Sequence, residues 1–193
     1  MLNIVIFGAP GSGKGTHSDL MKKNYDLTHI STGDMLRQEI KKGTELGIIA
    51  KKYIDKGQLL PDDIISDVLD KFLYTLKDNK GIIFDGFPRT IPQAEALEKI
   101  LNKRGMDVSI LIDLQVEDEE LAKRLLERGR ISGRSDDNEE TIQSRLKVYH
   151  SQTSPLAEYY KRKGKHVAIK GNGTIEEIFR RIDEAIKTID NVP

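Results

Sequence analysis

Residues 8–16 read Gly8-Ala9-Pro10-Gly11-Ser12-Gly13-Lys14-Gly15-Thr16, and the fold follows from how they are interpreted. An apolar run, Leu2 to Phe7, leads into them, and a segment of helical character, Thr16 to Lys23, follows. Strand, glycine-rich turn, lysine and helix in that order make a phosphate-binding loop. The glycines let the backbone curl so that successive N–H groups converge on a polyphosphate, and the positive end of the helix dipole favours the anion. Lys14 adds a movable charge for the β and γ phosphates. Gly15 follows Lys14 directly, and the hydroxyl comes one place later, at Thr16. The loop therefore predicts phosphate binding, with Thr16 displaced from the usual place of a magnesium ligand.

Working outward, four more short runs read as strands: Thr28–Ser31 (the weakest), Ile82–Asp85, Val108–Leu114 and His166–Ile169. Helical stretches lie between or after them, at Asp62–Leu76, Pro92–Asn102, Glu117–Glu127 and Thr174–Ile189. Strands alternating with helices predict a doubly wound α/β fold, a parallel five-stranded sheet flanked by helices. Their continuous apolar character suits strands covered on both faces. Thr174 with Glu177, and Asp137 with Glu140, have the spacing of capping boxes. Residues 31–60 supply more helical sequence than a simple crossover needs, and residues 129–137 are polar and glycine-hinged. Both can lie over the strand ends, where α/β ligands bind, either as mobile covers or as ordinary loops.

Composition narrows the function. The 193 residues suit one domain; 31 basic and 31 acidic side chains cancel, so no net field recruits nucleic acid or a membrane surface. With no cysteine, disulfides and thiolate metal sites are excluded. No signal peptide is evident and no apolar run reaches membrane-span length, which predicts a cytoplasmic chain.

Four motifs, Gly8–Thr16, Ser31-Thr-Gly-Asp-Met-Leu-Arg37, Asp85-Gly-Phe-Pro-Arg89 and Gly133-Arg-Ser-Asp-Asp-Asn-Glu-Glu-Thr141, together resemble adenylate kinase in order and spacing. The resemblance runs across essentially the whole chain. It implies a single P-loop kinase core over 1–193, a mobile helical AMP-binding insertion at 31–60 and a short lid at 127–137, without structural zinc. Thr32, Arg37, Gln58, Leu59, Leu60, Gly86, Phe87, Pro88, Arg89, Gln93, Arg134 and Arg145 fall on its AMP contacts. Gly11, Ser12, Gly13, Lys14, Gly15, Thr16, Arg128 and Gly173 fall on its ATP contacts, with Arg128 against the base. Lys14, Arg89, Arg124, Arg134 and Arg145 fall around the transferring group.

The residues themselves permit this. Planar guanidinium groups hold phosphates bidentately. Gln93 offers an amide for an adenine edge, although its spacing from Thr90 also suits a helix cap. Arg124 and Arg128 lie one turn apart, where like charges repel unless an anion sits between them or Glu120 and Glu127 neutralise them. Asp136 and Asp137 read as braces for the lid arginines or as a helix cap. Gly173 is equally a simple turn before Thr174. Asp85, at a strand end, can hold magnesium through water. His17 departs from the glutamine common in the family, and the four histidines have no ligand spacing.

No side chain is placed as a general base, and none is needed: a phosphate monoester has a second pKa of about 6, so its oxygen is already anionic. The resemblance thus implies reversible transfer of the γ-phosphoryl of MgATP to AMP, with ATP, AMP and ADP as partners, by a monomer. Thr32 weighs against UMP or CMP as acceptor, because the pyrimidine relatives have Ser-Ala-Gly-Asp there. A GTPase is disfavoured by the missing Asn-Lys-x-Asp, and a binding module without catalysis by the arginine set.

Overall fold

The computed structural model describes residues 1–76 and 80–189. Its centre is a five-stranded parallel sheet: β1 (Leu2–Gly8), β2 (Thr28–Ser31), β3 (Gly81–Asp85), β4 (Ile110–Gln115) and β5 (His166–Lys170), in the spatial order β2-β3-β1-β4-β5. Every residue of β1 is buried, as a central parallel strand requires. The chain winds first to one side of β1 and then to the other, so the crevice for a ligand falls at the carboxyl end of β1.

Alternation along the strands sorts the core into two layers. Val5, Phe7, Phe84 and Leu111 face helices α4 (Asp62–Thr75), α5 (Ile91–Asn102) and α8 (Pro155–Arg162) through Leu69, Leu97, Leu101, Leu156 and Tyr160. Ile4, Ile6, Ile83 and Ile112 face α1 (Lys14–Tyr25) and α9 (Ile175–Lys187) through Met21, Ile178, Ile182 and Ile186. The apolar face of α9 repeats every three to four residues, and its start carries the expected capping box between Thr174 and Glu177. A smaller cluster, Ala9 with Leu121, Leu125, Ile142 and Leu146, ties α6 (Asp118–Ser132) and α7 (Glu139–Val148) to the loop after β1.

Residues 31–60 fold as two helices, α2 (Thr32–Lys42) and α3 (Glu45–Ile54), each capped by a hydroxyl that accepts a backbone N–H in the first turn. Two expectations need correction. The stretch from 129 to 137 is not loop throughout, because α6 continues to Ser132. Gly129 is therefore no hinge: a Cβ on it would lie 2.7 Å from the Asp137 carbonyl, so glycine lets the chain cross the helix closely. Nor does Asp137 cap α7; Asn138 does, accepting from the Thr141 amide at 3.0 Å. Between α7 and α8 the backbone widens into one π-helical turn, Tyr149–Thr153, which the sequence does not announce. No helix among the described residues is long and apolar enough to cross a membrane.

Candidate active site

The loop leaving β1 folds back over the strand end. Gly8 has a φ of 142°, and a Cβ there would stand 2.6 Å from the Leu114 carbonyl, so no larger residue fits. Lys14, Gly15 and Thr16 open α1, where amides have no intrahelical acceptor. Lys14 Nζ donates to the carbonyls of Gly8 at 2.8 Å and Ala9 at 2.9 Å. Burial pushes its pKa down to about 7; Asp85 opposes this, while Arg89, Arg145 and Arg128 add to it. An anion placed beside such a group restores its charge.

This loop forms one wall of a cleft of about 540 Å³, which Gly11, Ser12, Gly13, Lys14, Gly15 and Thr16 all line. Arg89, Arg124, Arg128, Arg134, Arg145 and Gly173 line it from other elements. Asp85, at the end of β3, faces it too, with its Oδ2 3.3 Å from His29 Nε2. Among the described residues, His, Cys, Asp and Glu side chains nowhere gather in threes as a metal cage.

Three of the arginines, Arg124, Arg128 and Arg145, are paired with acids. Arg128 makes a fork of hydrogen bonds to both carboxylate oxygens of Asp137, at 2.6 and 2.7 Å. Arg145 donates to Asp137 Oδ1 at 2.8 Å and pairs with Asp136 at 2.8 Å. The Asp137 side chain is fully buried. Burial works to raise its pKa, but hydrogen bonding to Arg128, with that charge and those of Arg145 and Arg134, holds it below the ordinary carboxylate value. Asp136 and Asp137 thus brace the lid arginines, and Glu127 neutralises neither member of the Arg124–Arg128 pair, since it pairs with Arg130. Arg124 bonds Glu120 at 2.8 Å and reaches the Gly171 carbonyl at 3.4 Å, on the segment that carries Gly173. Arg128 stands among the charges that lower the pKa of Lys14, and Arg124 stands at the Gly171–Gly173 end of the cleft.

A second cavity of about 70 Å³ adjoins the first, lined by Thr32, Arg37, Gln58, Leu59, Leu60, Gly86, Arg89 and Gln93. Arg89 Nε donates to the Gly86 carbonyl at 2.7 Å, and burial, then the charge of Arg145, lower its pKa to about 10. Arg37 is paired with Asp34 at 2.5 Å. Pro88 lines the larger cleft, but Phe87 lines neither cavity: it is 1% exposed and packs into the core. Gln93 serves the cap of α5 and also lines this cavity. Its backbone N–H donates to the Thr90 hydroxyl, while its side-chain oxygen accepts from the Arg89 amide at 2.7 Å.

Sequence reasoning missed several members of the site. Asp34 lies inside a quoted motif, one turn before Arg37, and could have been found by that spacing. It also stands 3.6 Å from Arg134, so it joins the insertion to the lid. Ser135 adds a second link, donating to Asp55 at 3.3 Å, and Ser144 ties α7 to the insertion by donating to the Lys56 carbonyl at 2.8 Å. Tyr149 lines the cleft with its ring 5.8 Å from that of Phe7, and Asp62 bonds the Gln93 amide; neither carries a sequence signal beyond its own element.

Comparison with known proteins agrees with this geometry. A family model described as adenylate kinase matches residues 6–165. The adenylate kinase of Parabacteroides distasonis is 69% identical over 98% of this chain and all of its own length. That of Bacteroides fragilis is 61% identical over the same shares, and that of Porphyromonas gingivalis 57% over 94% of each chain. With a phosphate loop, an arginine-lined cleft and relatives this similar end to end, the chain belongs to the adenylate kinase family.

Proposed function

We propose a division of labour among these residues for the reaction that family membership assigns. The chain is a phosphotransferase that moves the γ-phosphoryl group of ATP to AMP, giving two ADP. The observation that carries our reading is the convergence of Lys14, Arg89, Arg128 and Arg145 on one cleft beside the first-turn amides of α1. The amides and Lys14 grip the donor phosphates, and the Gly173 segment with Arg124 takes the donor base. Arg128 and Arg134 face the transferring group from the lid, Arg145 faces it from α7, and Arg89 from the acceptor side. The smaller cavity takes AMP, with Arg37 and Arg89 on its phosphate and Thr32 and Gln93 on its base.

Positioning and charge do the chemistry. The acceptor oxygen is already anionic, so the enzyme needs no base; it needs cations aligned where charge spreads in flight and water kept out. The donor set fits magnesium carried in on the nucleotide and held through water by Asp85, rather than caged by protein. When bound, the ion would offset negative charge on the donor phosphates. Residues 31–60 and 127–137 act as the two mobile covers, and the chain works as a cytoplasmic monomer. The test is diphosphate formation from MgATP with AMP, UMP, CMP, GMP and dAMP. A strong preference for AMP is expected; preference for UMP or CMP would overturn the base assignment.

A further inference from the structure

The Gln93 amide is held at both ends by partners of opposite and fixed character. Its Nε2 donates to Asp62 Oδ1 at 2.7 Å, and its Oε1 accepts from the Arg89 backbone N–H at 2.7 Å. A carboxylate can only accept and an amide N–H can only donate, so the assignment of oxygen and nitrogen here follows from chemistry. The same Asp62 oxygen accepts from the Thr90 hydroxyl at 3.0 Å, which fixes the carboxylate against the start of α5. Gln93 is 2% exposed and lines the smaller cavity. After these bonds the amide retains one hydrogen on Nε2 and one lone pair on Oε1.

A primary amide that is free to turn can pair with either kind of purine edge. A 6-aminopurine offers a donor at the exocyclic nitrogen and an acceptor at N1; a 6-oxopurine offers the reverse. Turning the amide over would set its NH2 against the Arg89 N–H and its oxygen against the Asp62 carboxylate. Both bonds would be lost and both contacts would become repulsive.

We propose that Asp62 is a positioning residue that sets purine selectivity, by holding the Gln93 amide in the orientation complementary to a 6-aminopurine. This rests on the reading of Gln93 as the base-recognising residue. Asp62 touches no substrate in this scheme; it acts through Gln93. Discrimination against the 6-oxopurine monophosphate then comes from a buried donor and acceptor that cannot exchange places.

The experiment compares kcat/KM for AMP and IMP at saturating MgATP in the parent chain, Asp62→Asn and Gln93→Leu, with thermal unfolding of each. Asp62→Asn keeps the shape but exchanges one acceptor oxygen for an NH2 donor, which can face the oxygen of the turned Gln93 amide while the Thr90 hydroxyl accepts from the same NH2. The expected result is a fall in the AMP-over-IMP preference of about tenfold or more, in the range of one hydrogen-bonded base pairing. For AMP the loss should fall mainly on KM, with kcat within a fewfold of the parent. A merely structural role would lower both substrates together and leave the ratio unmoved. An unchanged ratio in Asp62→Asn alongside a lost preference in Gln93→Leu overturns the role of Asp62 and leaves Gln93 as the reader. An unchanged ratio in both variants overturns the Gln93 reading, and this proposal with it.

Discussion

The two walls of the cleft hold their cations in different ways. On the β1 side, Lys14 lies on backbone carbonyls of a loop pinned to the sheet, and the anion site is made of main-chain N–H groups. On the lid side, Arg128 and Arg145 hang from the side chains of Asp136 and Asp137 on a short polar stretch between two helices. The first wall is fixed by covalent geometry and glycine sterics. The second is an ion-pair network that a single substitution can dismantle.

Breaking the first wall should have the largest effect on turnover. Lys14→Ala is expected to lower kcat by about two orders of magnitude or more, the scale of losing a transition-state charge contact, with little change in thermal unfolding. Near-normal turnover in a folded variant would remove Lys14 from the mechanism. Breaking the second wall should show in stability as well. Asp137→Ala strands the Arg128 guanidinium and leaves Arg145 with Asp136 alone, so urea unfolding should report a loss of about 3 kcal/mol, the order seen when one partner of a buried pair is removed. Turnover should fall with it; unchanged stability would mean that water replaces the carboxylate at no cost.

The pH response separates the walls further. In the free protein Lys14 has a pKa of about 7, below its ordinary value, so above that pH it is largely neutral. Binding a polyphosphate raises that pKa, and the complex takes up a proton between pH 7 and the bound value; below pH 7 the group is charged beforehand and uptake vanishes. Titration calorimetry of ATP binding at pH 8, in two buffers of different ionisation enthalpy, should show the uptake, and Lys14→Ala should abolish it. The smallest effect belongs to neither wall. Thr174→Ala removes the cap of α9 and should cost about 1 kcal/mol of stability while leaving turnover alone, which would show that the Gly173 segment is held without the cap.

This contrast also explains what could be read from the sequence. The sheet, its five strands and the phosphate loop were legible because backbone geometry demands particular residue types at particular spacings: glycine where Leu114 closes in, and apolar runs for strands buried on both faces. Strand ends moved by only a residue or two. The arginines were legible as a set but not in their partners, because the partner of Arg128 lies nine positions on, in a loop whose path depends on where α6 stops. That helix ran five residues beyond its expected end, to Ser132. Phe87 sat in a motif expected to contact nucleotide yet turned into the core, since period and spacing do not say which way a loop residue points. Asp62 and Tyr149 were invisible, their roles arising only when distant elements meet.

Across the mouth of the cleft, Arg134 to Asp34 and Ser135 to Asp55 join residues 127–137 to residues 31–60, and Ser144 on α7 adds a bond to Lys56. In the scheme proposed above, moving either segment strains bonds that belong to the other, so a substitution at Asp34 or Asp55 is expected to change how long both ADP molecules stay rather than how fast the phosphoryl group moves.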